Sequence, residues 1–199
     1  MSIFKIDNEK CDKDGLCVIE CPAHIIKMTK QGPVPIEGAE EFCIKCGHCV
    51  AVCPKEAFSL EFISPDQCMP IEKDLSLTAN HVEHFLRSRR AVRRYKNKVV
   101  PKDVFEKALE IACCAPTGSN RQPVRWLVID KKADVVKIGA HVIDWMRYVL
   151  KTHPQMAQTF NMETLIIEWD RGTDRICRDA PLLVFAYASD EFGSAAADC

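Results

Sequence analysis

Two runs of cysteine carry the most specific chemistry in this chain. CIKCGHCVAVCP, residues 43–54, places Cys43, Cys46 and Cys49 on one tight loop and follows them with Cys53 and Pro54. A single tetrahedral zinc ion, the plainer use of paired cysteines, has no need of a fourth thiolate that points away from the loop. A cubane iron–sulfur cluster presents separate iron corners and fits that arrangement. CDKDGLCVIECP, residues 11–22, repeats the phrase at a constant offset of 32 residues. Cys11, Cys17 and Cys21 fall opposite Cys43, Cys49 and Cys53, and Lys13, Gly15, Val18 and Pro22 match their counterparts, but Asp14 faces Cys46. A fixed offset with so many matches is an internal repeat.

Residues 1–62 therefore resemble a two-cluster bacterial ferredoxin, in which the fourth cysteine of each run serves the other cluster. The resemblance implies that Cys43, Cys46, Cys49 and Cys21 hold one 4Fe-4S cluster. It gives Cys11, Cys17 and Cys53 to the second, with Asp14 facing its fourth iron. Three readings of Asp14 stay open: an oxygen ligand to a 4Fe-4S cluster, the vacated corner of a 3Fe-4S cluster, or a solvated loop residue beside a degenerate site. A carboxylate is harder than a thiolate and less matched to the cluster. Gly15 and Gly47 meet the need for bare backbone beside a cluster. The apolar segments IFKI, HIIKM and AFSLEFI are expected to form small hairpins covering the clusters. His48, inside CGHC, reads as an exposed loop histidine, because the neighbouring cysteines already satisfy the metal.

The rest of the chain must position this metal chemistry and use it. Seven of the twelve cysteines lie between residues 11 and 53, in triplets unlike a disulfide framework. The net charge of -1 gives no pull toward nucleic acid or membrane. The start, MSIFKIDNEK, lacks a leader's apolar core, and the longest apolar run, PLLVFAYA, is too short to span a bilayer. A soluble, cytoplasmic protein is expected.

Residues 63–77, rich in proline and polar side chains within the run SPDQCMPIEKDLSLT (residues 64–78), read as a linker. Residues 78–199 read as a second domain of mixed character. A helix is expected over about 78–89, where His81 and His84 belong to the ordinary surface. Another opens at Pro101, with an apolar stripe of Val104, Phe105, Ala108, Leu109, Ile111 and Ala112. WLVID, residues 126–130, reads as a strand and VVKIGAHVIDWMRYVLK as an amphipathic helix. PQMAQTFNMETLIIEWDRG reads as one further helix, and PLLVFAYAS as a buried strand. The expected class is α+β.

RSRRAVRRYKNK, residues 87–98, has seven basic residues in twelve. Without interleaved aromatics, several guanidinium forks converging on one phosphate explain it better than nucleic acid does. APTGSNRQP, residues 115–123, is a turn-rich segment some twenty residues on. Together the two motifs resemble the nitroreductase family of FMN-dependent oxidoreductases, and behind a ferredoxin region the ferredoxin-fused nitroreductases. The resemblance implies that Arg89, Arg90 and Arg93 contact the FMN phosphate and ribityl chain, and that Pro116, Thr117, Asn120 and Gln122 line the isoalloxazine or ribityl side. Ala91 and Val124 depart from the serine and tryptophan common there. The family pattern continues past the last strand through further helices, a flavin loop and a dimer-wrapping tail, so a C-terminally truncated nitroreductase-like domain is expected, homodimeric in its full-length form.

The implied activity passes electrons between iron–sulfur clusters and FMN to reduce or oxidise a small molecule such as a nitro compound, quinone or activated alkene. A redox partner protein or NAD(P)H is the other participant. No GxGxxG follows a strand, so nicotinamide would stack on the flavin itself. A ferredoxin-type electron carrier and an iron–sulfur redox sensor are the alternatives. Cys68, Cys113, Cys114 and Cys177 are expected to take no part in the chemistry.

Overall fold

The computed structural model describes residues 3–191 and 193–199. The chain is α+β and divides into two compact units, residues 1–82 with 118–121, and residues 83–117 with 122–199.

The first unit is built around its repeat. Strand β1 (Phe4–Ile6) precedes helix α1 (Leu16–Ile19), and strands β2 (Ile26–Met28) and β3 (Pro33–Pro35) follow. Helix α2 (Ala39–Phe42), helix α3 (His48–Ala51) and strand β4 (Phe58–Leu60) complete it. HIIKM forms the expected local hairpin, with Ile26 opposite Pro35. IFKI does not form one of its own. It pairs antiparallel with AFSLEFI, Phe4 opposite Leu60, so the start and end of the unit close on each other. Phe4 and Phe58 meet across this pair at 5.3 Å between ring centroids. They join Ile25, Ile26, Val50 and Leu60 in a core that also includes Cys17, Cys21 and Cys49.

The repeat extends to the backbone. Lys13, Gly15 and His24 have φ of 62°, 80° and 54°, and their partners Lys45, Gly47 and Glu56 have 55°, 74° and 53°. Glycine is required at 15 and 47 by this left-handed backbone. Added Cβ atoms would meet no protein atom within 4 Å at Gly15, and only Ile63 at 3.9 Å at Gly47. The linker reading is corrected at its start, where Pro65–Gln67 forms a 3-10 turn closed by Gln67 Oε1 accepting the Ser64 N–H. Ile63 and Cys68 pack on the first unit's core.

Helix α4 (Ala79–Ser88) contains the boundary between the units. The second unit continues with α5 (Lys102–Ala112), β5 (Arg125–Ile129), α6 (Lys132–Thr152), α7 (Pro154–Thr159) and α8 (Met162–Asp170). Strand β6 (Leu183–Tyr187) and the short α9 (Ala195–Asp198) follow. The centre of this unit is α6, whose buried Val135, Gly139, Ile143 and Val149 face α7 and α8. Gly139 permits close approach, since a Cβ there would lie 3.1 Å from the Trp169 ring.

Three sequence expectations are corrected in this unit. The single helix expected from Pro154 is two, because Asn161 takes φ 51° and its Oδ1 accepts the Thr164 hydroxyl, starting a new helix. The strand expected to be buried is largely exposed, because β6 pairs only with β5, Leu183 opposite Ile129, in a two-stranded sheet. The stripe on α5 reaches at most partial burial, with Val104 and Ile111 exposed. Among the described residues no helix is long and apolar enough to cross a membrane.

Candidate functional site

The repeat gathers its eight candidate ligands into two cavities. Cys21, Cys43, Cys46 and Cys49 line one, walled by Phe4, Ile25, Ile26 and Leu60. Cys11, Asp14, Cys17 and Cys53 line the other, walled by Ile6, Met28 and Phe58. The crossing has a local cause. In each repeat the left-handed glycine turns the loop into a one-turn helix that carries the third ligand, Cys17 or Cys49, at its second position. The chain leaves that helix two residues before Cys21 or Cys53, which therefore serves the other repeat's cavity.

Among the described residues no group of three or more His, Cys, Asp or Glu is arranged to hold a single metal ion. Four donors spread around an apolar chamber suit a polynuclear cluster, whose irons sit at separate corners. Burial is the main cause that pushes the Cys17 thiol up to about 11, with the Asp14, Cys11 and Cys53 charges adding to it. Burial likewise pushes Cys49 up to about 12, reinforced by Cys46 and Cys21. Iron must displace those protons when it binds.

The two chambers differ at one corner. Asp14 is exposed whereas Cys46 is half-buried. The Asp14 Oδ1 accepts the Leu16 N–H at 3.0 Å, and the Cys53 sulfur accepts the Ala57 N–H at 3.3 Å. Sequence reasoning passed over Lys13, which lines the Asp14 chamber and donates its Nζ to the Lys30 carbonyl at 2.8 Å. The matching Lys45 in the second repeat was the available signal. His48 begins α3, is exposed, and lines the all-cysteine chamber.

The second unit holds an open cleft lined by Cys113, Thr117, Gln122, Arg125 and Trp126, among others. Thr117 Oγ1 accepts the Gln122 N–H at 2.9 Å and fixes the turn between them. The structure thus brings Thr117 and Gln122 together, and Cys113, at the end of α5, is exposed and lines the cleft with them. Pro116 is exposed beside the cleft without lining it. Asn120, in the segment belonging to the first unit, donates its amide to the Ile44 and Lys45 carbonyls at 3.0 Å each. Arg89, Arg90 and Arg93 are exposed just past α4 and do not line the cleft. The Arg90 guanidinium turns back onto the carbonyls of Arg87 and Arg89, at 2.7 and 2.9 Å. His81 and His84 are exposed on α4. Cys177 is buried, with its Sγ 3.7 Å from the Val135 carbonyl.

Comparison with known proteins agrees with both halves. Residues 3–54 match the 4Fe-4S dicluster domain. Residues 86–199 match the nitroreductase family, to which the chain belongs. Among solved structures, a BluB-like flavoprotein from Clostridium difficile 630 is similar at 21% identity and a TM-score of 0.41. That match covers 54% of this chain and 48% of the flavoprotein, so the chain spans about half its length. No curated protein matches.

Proposed function

We propose that this protein is an iron–sulfur flavoprotein oxidoreductase in which single electrons pass between two clusters and FMN, and a small organic molecule is reduced or oxidised. Nitro compounds, quinones and activated alkenes are the substrate classes. The observation that carries this reading is the sorting of eight candidate ligands, four and four, into two chambers, in a chain whose other domain matches the nitroreductase family. On this reading Cys21, Cys43, Cys46 and Cys49 hold a 4Fe-4S cluster. Cys11, Cys17 and Cys53 hold the second, with Asp14 at its fourth corner as an oxygen ligand to iron or beside a 3Fe-4S cluster.

When bound, FMN takes electrons singly or in pairs and delivers them to the organic substrate. Thr117 and Gln122, which line the cleft, would face it, Pro116 and Asn120 belong to the same loop, and Arg89, Arg90 and Arg93, which do not line the cleft in this structure, would have to turn toward it to supply guanidinium forks for its phosphate. The partners are a redox protein or NAD(P)H and the small-molecule acceptor, with a homodimer as the assembly of the full-length form. A thiol-rich chain with metal-type spacing suits the reducing cytoplasm.

One observation favours a plain electron carrier: the first unit gathers complete donor sets, whereas the three arginines do not line the cleft with Thr117 and Gln122. Quantifying iron, sulfide and flavin in anaerobically purified protein decides between them. Stoichiometric FMN that bleaches with NAD(P)H or dithionite, and recovers on adding a quinone or nitro compound, is the expected result. Clusters without flavin would leave the carrier.

A further inference from the structure

Asn120 reaches a long way along the chain for its partners. Its amide nitrogen donates to the carbonyls of Ile44 and Lys45 at 3.0 Å each, across 76 and 75 residues. Both partners are acceptors, so the nitrogen end of the amide must face them. The residue type also suits its backbone, because Ser119 and Asn120 hold φ of 52° and 53°, a left-handed region that asparagine tolerates. The far side of the contact is a ligand loop. Lys45, itself left-handed at φ 55°, lies between Ile44 and Cys46, and both of those line the all-cysteine chamber, which Asn120 does not.

The two clasped carbonyls belong to the peptide groups that carry the N–H of Lys45 and the N–H of Cys46. A trans peptide directs its N–H opposite to its carbonyl. These two N–H groups therefore point away from Asn120, and among the described residues neither donates to a protein acceptor.

We propose that Asn120 is a positioning residue for the all-cysteine cluster. Its amide fixes two peptide groups of the Cys43–Cys46 loop so that the N–H groups of Lys45 and Cys46 face the cluster sulfurs. Hydrogen bonds to the sulfurs help set a cluster's reduction potential, and they raise it by stabilising the more negative, reduced form. A donor held on each carbonyl polarises the peptide and strengthens its N–H. This inference rests on the proposed 4Fe-4S cluster in that chamber, and it gives Asn120 a task on the ligand loop in place of a flavin contact.

The test is a redox titration, followed by electron paramagnetic resonance, of the full chain purified and reconstituted anaerobically. Asn120→Gly removes the amide and leaves the left-handed backbone unstrained. Asn120→Asp keeps the shape and presents an oxygen in place of the donor nitrogen. Ser119→Gly changes the left-handed neighbour and leaves the clasp intact.

At the wild-type midpoint, the reduced-to-oxidised ratio of the all-cysteine cluster should fall about three- to tenfold in Asn120→Gly, the size of one net hydrogen bond. Asn120→Asp should lower it further, because its charge adds to the loss. Ser119→Gly should keep the wild-type midpoint. The Asp14-side signal should keep its own midpoint in every variant, and that signal together with the iron content verifies that the unit has folded. If Asn120→Gly and Asn120→Asp leave the all-cysteine midpoint where it was, or move both midpoints equally, the positioning role is overturned. Loss of FMN with both midpoints unchanged would make Asn120 a flavin contact and overturn it too. A wild-type protein that takes up no 4Fe-4S cluster at Cys21, Cys43, Cys46 and Cys49 would instead bring down the cluster reading beneath the inference.

Discussion

The two halves of the ferredoxin-type unit share a backbone and differ in the chemistry of one corner. Both loops pass through a left-handed lysine and a left-handed glycine into a one-turn helix, and both send their last cysteine to the other chamber. At the position where they diverge, Cys46 is half-buried whereas Asp14 is exposed with its carboxylate on the helix start. Loop shape is therefore a property of the repeat, and the residue at this corner varies within it.

The comparison can be strained most severely through the two aromatic walls. Phe58 is 2% exposed and lines the Asp14 chamber, whereas Phe4 lines the all-cysteine chamber. Phe58→Ala is expected to cost about 3–5 kcal/mol in denaturant unfolding of the anaerobic protein. It should release the Asp14-side cluster before the other, and Phe4→Ala should reverse that order. Spectra in which both clusters fade together would mean that the chambers are not separately walled.

Gly15→Ala and Gly47→Ala probe what the repeats share. Each places a Cβ on a left-handed backbone, at about 1–2 kcal/mol, and their unfolding free energies should fall by similar amounts. A penalty confined to one glycine would break the structural equivalence.

The smallest effect is one of pH. In the iron-free chain the buried thiols have raised pKa values, so their contribution to stability is fully present below the ordinary value of 9.0. It is lost as pH rises through about 11 for Cys17 and about 12 for Cys49. Hydrogen exchange at rising pH, corrected for its intrinsic rate, should show α1 and α3 both losing protection as pH rises above 9.0.

Much of the metal site was legible because ligand chemistry fixes spacing along the chain. Cysteines that must meet one cluster from one loop cannot drift, and the crossing partners that the ferredoxin resemblance implies are the residues found lining each cavity together. The partner of β1 could not, because Phe4 meets Leu60 across more than fifty residues and either hairpin pattern is apolar. Asn161 was hidden by the apolar periodicity on both sides of it. Its one clue was a residue type tolerant of left-handed backbone, three positions before a hydroxyl it could accept. The flavin motif fixed residue types but not their meeting: Thr117 and Gln122 line one cleft, while Asn120 bonds the carbonyls of Ile44 and Lys45. The exposure of β6 was invisible because an apolar strand looks the same in sequence whether it is covered or open.

Crossed ligation at two unlike corners is the central claim, and Cys53→Ser tests it most directly by electron paramagnetic resonance of the anaerobic, reconstituted protein. Although Cys53 belongs to the second repeat, its replacement is predicted to abolish the cluster signal of the Asp14 chamber and to leave the all-cysteine 4Fe-4S signal in place. Loss of the all-cysteine signal with the Asp14-chamber signal intact would contradict the account.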